Sequence, residues 1–336
     1  MAHTLKSAGR ARLTPQQYTD GILQGDRTIL ARAITVVESD LPADSDVATK
    51  ILDAVISYAG KARRVGITGI PGAGKSTFID SLGMHLIQQR GETVAVLSVD
   101  PSSLYSGGSI LGDKTRMEKL SQEEKAFIRP SPARGRLGGV ARRTREAMLL
   151  CEAAGYRNVL VETVGVGQSE TNVHSMTDFL LLMMIPGGGD EMQGIKRGIL
   201  EMVDAVAINK ADSGNESRAE RALLEYQNAL HLFPASADGW SAKVVAMSAL
   251  TGRGVPELWD MVLDHRAKLE ANGFFGQRRK EQARDWMHEL ISTELDDLFR
   301  HDPAVKSSLP ALEKAVEDGA MAPLVAARRA LAIFRP

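Results

Sequence analysis

Two hydrophobic rhythms alternate along the chain. Short apolar runs rich in β-branched residues occur at Val65 to Thr68, Thr93 to Val99, Ala126 to Arg129, Asn158 to Val161, Asp178 to Ile185, Ala205 to Ile208 and Val244 to Met247. Runs of that length and composition predict strands. Between them the apolar positions recur every three or four residues, as in Phe78, Ile79, Leu82 and Leu86. That period predicts helices from Gly74 onward, from Gly138-Gly139 to Ala154, around Leu223 to Leu230, and from Val255 to Leu269 with Pro256 near its start. A further helix, carrying Ile195, Ile199 and Met202, is expected after Gly187-Gly188-Gly189. Strands alternating with helices predict an α/β fold, a doubly wound and mainly parallel sheet. Asp178 to Ile185 is almost continuously apolar, as a strand covered on both faces should be.

The flanks are helical throughout. Thr14-Pro15 reads as an N-cap with proline at the first helical position, opening a helix to about Leu23. A second helix shows Leu30, Ile34 and Val37 on one face, Leu41 to Asp46 reads as a linker, and a third helix carries Ile51, Leu52, Val55, Ile56 and Tyr58. Beyond Gly276, Arg278 to Arg300 is amphipathic through Trp286, Met287, Leu290, Ile291, Leu295 and Leu298. Asp302-Pro303 breaks it, and shorter helices follow near Leu309 to Val316 and Pro323 to Ile333. The predicted organisation is an N-terminal helical extension (1–60), an α/β domain (61–272) and a C-terminal helical arm (273–336). An amphipathic arm has to bury its apolar stripe, on its own domain or on a second copy of the chain.

The strand at Val65 runs into Gly69-Ile70-Pro71-Gly72-Ala73-Gly74-Lys75-Ser76-Thr77. Gly69 to Ser76 fits G-x-x-x-x-G-K-S/T, and the strand before and helix after give it the context of a P-loop NTPase. Glycines let successive backbone N–H groups turn inward around a phosphate chain, and the helix adds the positive end of its dipole. Lys75 is placed to meet the β- and γ-phosphates, and Ser76 to offer a hydroxyl to Mg2+.

Asn209-Lys210-Ala211-Asp212 ends a later strand. A carboxylate only accepts hydrogen bonds, and guanine offers two adjacent donors on one edge where adenine presents an acceptor. Asp212 therefore selects guanine, because adenine would leave the carboxylate poorly paired. Asn209 can fix the loop or read the ring, and the stem of Lys210 can lie on the base face. Ser248-Ala249-Leu250 follows one strand later, in the right order for a loop whose backbone approaches the base. The nucleotides are then GTP and GDP.

Asp100 and Glu162 each end an apolar strand near the phosphates, so Ser76, Asp100 and Glu162 can supply an Mg2+ shell, some through water. Asp113, in the loop Gly107 to Met117, is a further acidic candidate. Gly165 can donate its backbone N–H to a γ-phosphate, which makes Glu162 to Gln168 a switch. Val166 follows Gly165, where Ras-like enzymes carry the glutamine that orients water. Gln168 lies two residues further on. Slow intrinsic hydrolysis is expected, accelerated by a partner. Lys196 and Arg197 can bring positive charge to the transition state or to Glu162.

Composition narrows the setting. With 336 residues, 43% hydrophobic and 25% charged, the chain has ample core material. A net charge of −1 gives no support to a nucleic-acid platform. Cys151 is the only cysteine, so no internal disulfide or thiolate metal cluster can form. A reducing, cytoplasmic compartment fits. Met1 to Arg12 has no apolar core and does not read as a secretory signal. Phe179 to Ile185, the longest strongly apolar run, is too short to span a bilayer, so no membrane role is expected.

The residues Gly66 to Thr77, Val99-Asp100-Pro101-Ser102-Ser103, Gly107 to Met117, Phe127-Ile128-Arg129-Pro130, Val161 to Thr171, Gln193-Gly194-Ile195-Lys196 and Asn209 to Asp212 together resemble the MeaB/ArgK family. These are the GTPases associated with methylmalonyl-CoA mutase and its relatives. The resemblance runs over about Leu13 to Glu270, and more loosely beyond. It implies a homodimeric G-protein chaperone that binds an adenosylcobalamin-dependent acyl-CoA mutase. GTP hydrolysis would gate cofactor loading and protect or rescue the mutase, which in turn stimulates hydrolysis. Adenosylcobalamin would be handled through that partner rather than bound tightly here. The resemblance also assigns Lys196 to a third switch and the dimer contacts to the C-terminal arm. Ser131 to Leu137, with Arg134 and Arg136, departs from the small polar residues of the family and leaves open which acyl-CoA mutase is served.

Three other readings compete, one of them a GTP-dependent interaction protein that hardly hydrolyses because turnover depends wholly on a partner. A GTP-driven metallochaperone for nickel enzymes would share Asp100 and Glu162, but calls for a His-rich tract or paired cysteines, and the seven histidines are scattered. A transport-linked nucleotidase or kinase is opposed by Asp212, which disfavours ATP.

Overall fold

The computed structural model describes residues 12–99, 117–130, 137–163, 169–187, 197–234 and 236–334. Among them a seven-stranded sheet runs in the order β3-β2-β4-β1-β5-β6-β7. The strands are β1 (Arg63–Gly69), β2 (Val94–Val99), β3 (Ala126–Pro130), β4 (Asn158–Thr163), β5 (Phe179–Met184), β6 (Ala205–Ile208) and β7 (Lys243–Ala246). Every pairing is parallel, with β1 central between β4 and β5 through Arg63↔Asn158 and Val65↔Phe179. Parallel neighbours require crossover connections, and helices supply them. These are α4 (Lys75–Gln88), α5 (Leu137–Ala153), α6 (Ser169–His174), α7 (Arg197–Leu200), α8 (Glu216–His231) and α9 (Val255–Ala271). Their apolar faces and the buried strands form one continuous core. The doubly wound parallel sheet expected from the sequence is therefore present. Carboxyl ends of strands collect on one edge, where ligands of such sheets bind.

The N-terminal helices are α1 (Pro15–Leu23), α2 (Arg27–Val37) and α3 (Pro42–Val55). Thr14 caps α1 in a reciprocal capping box with Gln17. The expected linker at Leu41 to Asp46 is instead the first turn of α3. Pro42 sets the helical φ there, and Asp44 lies in the first turn, where it accepts from Ser39 Oγ at 2.7 Å and pairs with Arg12 at 2.8 Å. Ile56 and Tyr58, expected on the apolar face of this helix, fall in a short 3-10 turn and are exposed. These helices share the apolar core of the sheet domain, and ion pairs add to it at their edge. Arg129, at the end of β3, reaches Glu38 at 2.5 Å and Thr35 at 3.2 Å, and Arg143 of α5 pairs with Asp40. The helix expected after the glycine run is described only as the single turn α7. Ile199 lies on it, Met202 follows in the next turn, and Ile195 lies outside the described residues.

The chain divides into two compact units, Met1–Gly276 and Gln277–Pro336. The second holds most of α10 (Phe274–His301), with α11 (Pro303–Glu317) and α12 (Pro323–Ile333). Asp302 caps α11 by accepting from Ala304 N and Val305 N, each at 2.9 Å, which explains the break at Asp302-Pro303. Phe299 and Phe334 meet edge to face at 5.5 Å. Among the described residues the buried apolar side chains of this unit are Val305, Ala326 and Ala330. Met287, Ile291, Leu295 and Leu298 recur on one face of α10 and are 48% to 54% exposed. No helix among the described residues is long and apolar enough to cross a membrane.

Candidate nucleotide site

The phosphate loop begins where β1 ends. Gly69 has φ +145°, and a Cβ there would meet the Met183 carbonyl oxygen at 2.1 Å. The loop can leave the sheet at this point only because that residue has no side chain. Ala73 is buried, and Gly74 starts α4 in the left-handed region at φ +89°. Lys75 is 8% exposed, and its Nζ donates to the carbonyls of Gly69 at 2.8 Å and Ile70 at 3.1 Å. The ammonium thus spans its own loop, held over the space the loop encloses. Ile70 is buried, whereas Pro71, Gly72 and Thr77 are exposed along the outer rim.

Ser76 and Glu162 are brought together. Ser76 Oγ donates to Glu162 Oε1 at 2.9 Å, from the first turn of α4 to the penultimate residue of β4. Glu162 is buried, at 9% exposure. A hydroxyl and a carboxylate this close, beside a phosphate cradle, are the hard oxygen donors that Mg2+ prefers, so the pair fits that ion. Next to it, Thr163 Oγ1 donates to Thr68 Oγ1 at 3.0 Å and fastens β4 to β1 below the loop. Asp100, Asp113, Gly165 and Lys196 lie outside the described residues, as do Val166, Gln168 and the segment 131–136.

The two segments expected to read the base follow β6 and β7, two and three strands away from β1. Asn209 follows β6 and is 2% exposed. Its Nδ2 donates to Ala73 O at 2.7 Å, and its Oδ1 accepts from Ala249 N at 2.9 Å. One side chain therefore joins the phosphate loop to the loop after β7. This amide also explains Gly74, where a Cβ would come within 2.5 Å of Asn209 Nδ2. Lys210 adopts φ +60°, uncommon for a residue with a side chain, and turns the chain so that Asp212 faces Ser248. Ser248 Oγ donates to Asp212 Oδ2 and accepts from Thr251 N at 3.2 Å. Ser248 and Ala249 are buried, whereas the Leu250 side chain is 77% exposed, so Leu250 enters this loop through its backbone.

Three supports were not foreseen. Arg253 donates from its guanidinium to the Ala211 carbonyl, inside the base-reading segment. The residues offered a faint signal, since Arg253 stands between Gly252 and Gly254 in a tight turn. The Thr68–Thr163 pair had no signal along the chain, because it depends on strand register, and the carbonyl partners of Lys75 depend on how the loop folds back on itself.

The matched family model, described as methylmalonyl Co-A mutase-associated GTPase MeaB, spans residues 30–304. GTPase ArgK of Escherichia coli K12 is 49% identical over 280 residues, covering 83% of this chain and 84% of that protein. The mitochondrial methylmalonic aciduria type A homolog of Mus musculus is 43% identical over 334 residues, covering 96% of this chain and 80% of that protein. A solved structure described as a LAO/AO transport system kinase superposes with a TM-score of 0.76 at 36% identity, covering 98% of each chain.

Proposed function

The chain belongs to the methylmalonyl-CoA mutase-associated GTPase family MeaB, and on that premise we propose that it is a partner-controlled GTPase serving an adenosylcobalamin-dependent acyl-CoA mutase, methylmalonyl-CoA mutase or a close relative. In this reading GTP hydrolysis gates the loading of adenosylcobalamin into the mutase and protects or reactivates it. The observation that carries the nucleotide part is the joined site, in which Asn209 ties the phosphate loop to the guanine-reading loop while Ser76 meets Glu162.

Each residue has a task there. Lys75 and the backbone amides of Gly69 to Ser76 hold the β- and γ-phosphates. Ser76 and Glu162, joined by Asp100, hold Mg2+, which neutralises charge on the phosphate oxygens when bound. Asp212 accepts the two guanine donors. Gly165 senses the γ-phosphate through its N–H, and Asp113 and Lys196 act from the neighbouring loops. Val166 in place of a water-orienting glutamine fits a slow enzyme waiting on its partner. The mutase then supplies the missing order, and Lys196 transmits it.

A homodimer is part of the proposal. The second unit has few buried apolar side chains among its described residues, and a stripe from Met287 to Leu298 stays half exposed. A second copy of the stripe is the simplest surface to cover it. The reducing cytoplasm remains the expected compartment.

The experiment is GTP turnover with and without purified methylmalonyl-CoA mutase, alongside adenosylcobalamin transfer to the apo-mutase. Stimulated turnover and GTP-dependent transfer are expected. Lys196→Ala should keep basal turnover and lose most of the stimulation. Turnover indifferent to the mutase, with no GTP effect on transfer, would sink the chaperone reading and leave the GTPase standing.

A further inference from the structure

A cavity of about 720 Å³ opens in the first unit, lined by Tyr58, Lys61, Arg63, Tyr156, Arg157 and the face of α9 at Leu263 and Arg266. It lies at the other edge of the sheet from the phosphate loop, because Arg63 and Asn158 begin β1 and β4 whereas Gly69 and Thr163 end them. Its size suits a small-molecule site. Arg63 N donates to Arg157 O at 2.9 Å, which ties the two lining segments together.

The charges in it do not cancel. Of its acids, Glu152 is held by Arg64 Nε at 2.6 Å and by Gly60 N, and Glu270 by Arg266 Nε at 2.7 Å. Arg63 is occupied by Glu92 at 3.0 Å and by Asn158 at 3.2 Å. Arg266 also lies 4.8 Å over the Phe275 ring. Among the described residues the Lys61 and Arg157 side chains have no partner, so the cavity carries two uncompensated positive charges. Tyr156 adds a phenol whose pKa burial pushes up to about 12, so it is a neutral donor at physiological pH. Tyr58 adds a half-exposed aromatic residue to the lining, and Ala62, Ala153 and Leu263 give it apolar surface.

We propose that this cavity is a second ligand site, taking a phosphate monoester with a flat apolar body such as a nucleoside monophosphate. A phosphate monoester carries close to two negative charges at neutral pH and matches the unpaired Lys61 and Arg157. The ring of Tyr58 and the apolar surface would receive the body. The two sites do not overlap, so both can be filled at once.

The test uses AMP as probe, since Asp212 disfavours adenine at the first site. Calorimetry is run at low salt on the full chain saturated with GDP and Mg2+. One equivalent of AMP per chain is expected, displaced by inorganic phosphate, with adenosine at least about tenfold weaker. Lys61→Ala/Arg157→Ala, two exposed positions, should weaken AMP at least about tenfold while leaving GDP affinity unchanged. Tyr58→Ala should weaken AMP and leave phosphate binding unaltered. Absence of AMP binding, equal binding in the double variant, or displacement of AMP by excess GDP each overturns the proposal. Loss of GDP binding in the wild-type chain would instead count against the first site, which separates the two failures.

Discussion

Asn209 and Ala73 lie 136 residues apart in the chain and are joined by a 2.7 Å hydrogen bond, from the Asn209 amide to the Ala73 carbonyl. The same amide group accepts from Ala249. The two loops are therefore one mechanical unit, and on the proposed reading phosphate and base recognition are coupled through it. Asn209→Ala should weaken GDP and GTP alike and lower folding stability by about 1–3 kcal/mol, because two buried backbone groups lose their partner. Nucleotide titration together with urea unfolding checks this. A loss confined to base selectivity would show that the two loops are independent.

Asp212 is half-buried and accepts a hydrogen bond from Ser248. On the proposed reading, Ser248 orients the carboxylate that accepts from guanine. Asp212→Ala should cost about 3 kcal/mol of guanine nucleotide binding, roughly a hundredfold, and abolish preference over adenine nucleotides. Competition between GDP and ADP for the variant is the measurement. Unchanged guanine preference would remove Asp212 from base reading.

Ser76 donates to Glu162 at 2.9 Å, and the two would hold Mg2+, directly or through water. Ser76→Ala should therefore lower nucleotide affinity strongly with Mg2+ present and little after chelation. The comparison is GDP binding in Mg2+ and in EDTA. An equal loss in both would mean that Ser76 serves the loop and not the ion.

Much of this was legible along the chain. Every strand was visible, because buried parallel strands are apolar on both faces and the glycine turns between them are conspicuous. Thr14, Pro15 and Asp302-Pro303 marked helix ends through local hydrogen-bonding chemistry. The proposed base and phosphate motifs stand out along the chain because such ligands would dictate their residue types. What the chain did not reveal depends on register or on competition between local preferences. Leu41 to Asp46 looks like a linker by composition, yet proline and acids favour the first turn of a helix as much as a loop. Tyr58 has an aromatic ring at helical spacing, but the helix gives way to a tighter turn two residues earlier and the ring is exposed. Arg253 and the Thr68–Thr163 pair needed the folded sheet to find their partners.

The stripe of Met287, Ile291, Leu295 and Leu298 on α10 is about half exposed. Covering it with a second copy would contribute on the order of 1 kcal/mol per side chain. Deleting residues 277–336 should give a monomer by light scattering while guanine nucleotide binding persists, since the site residues all precede that unit. A dimer that survives the deletion would place the contact elsewhere.

The strand order has a consequence for synthesis. The phosphate loop leaves the ribosome early, but β1 cannot be flanked until β4 and β5 have followed, and Arg63 waits 95 residues for Asn158. Asn209 and then Ala249 come later still. A nascent chain therefore carries its phosphate loop through a long stretch of synthesis without the neighbours that shape it. Long-range parallel pairing of this kind is slow and aggregation-exposed. On the proposed reading, guanine nucleotide grips both ends of the site only after the loop following β7 has emerged, and would then stabilise the finished domain rather than guide its assembly.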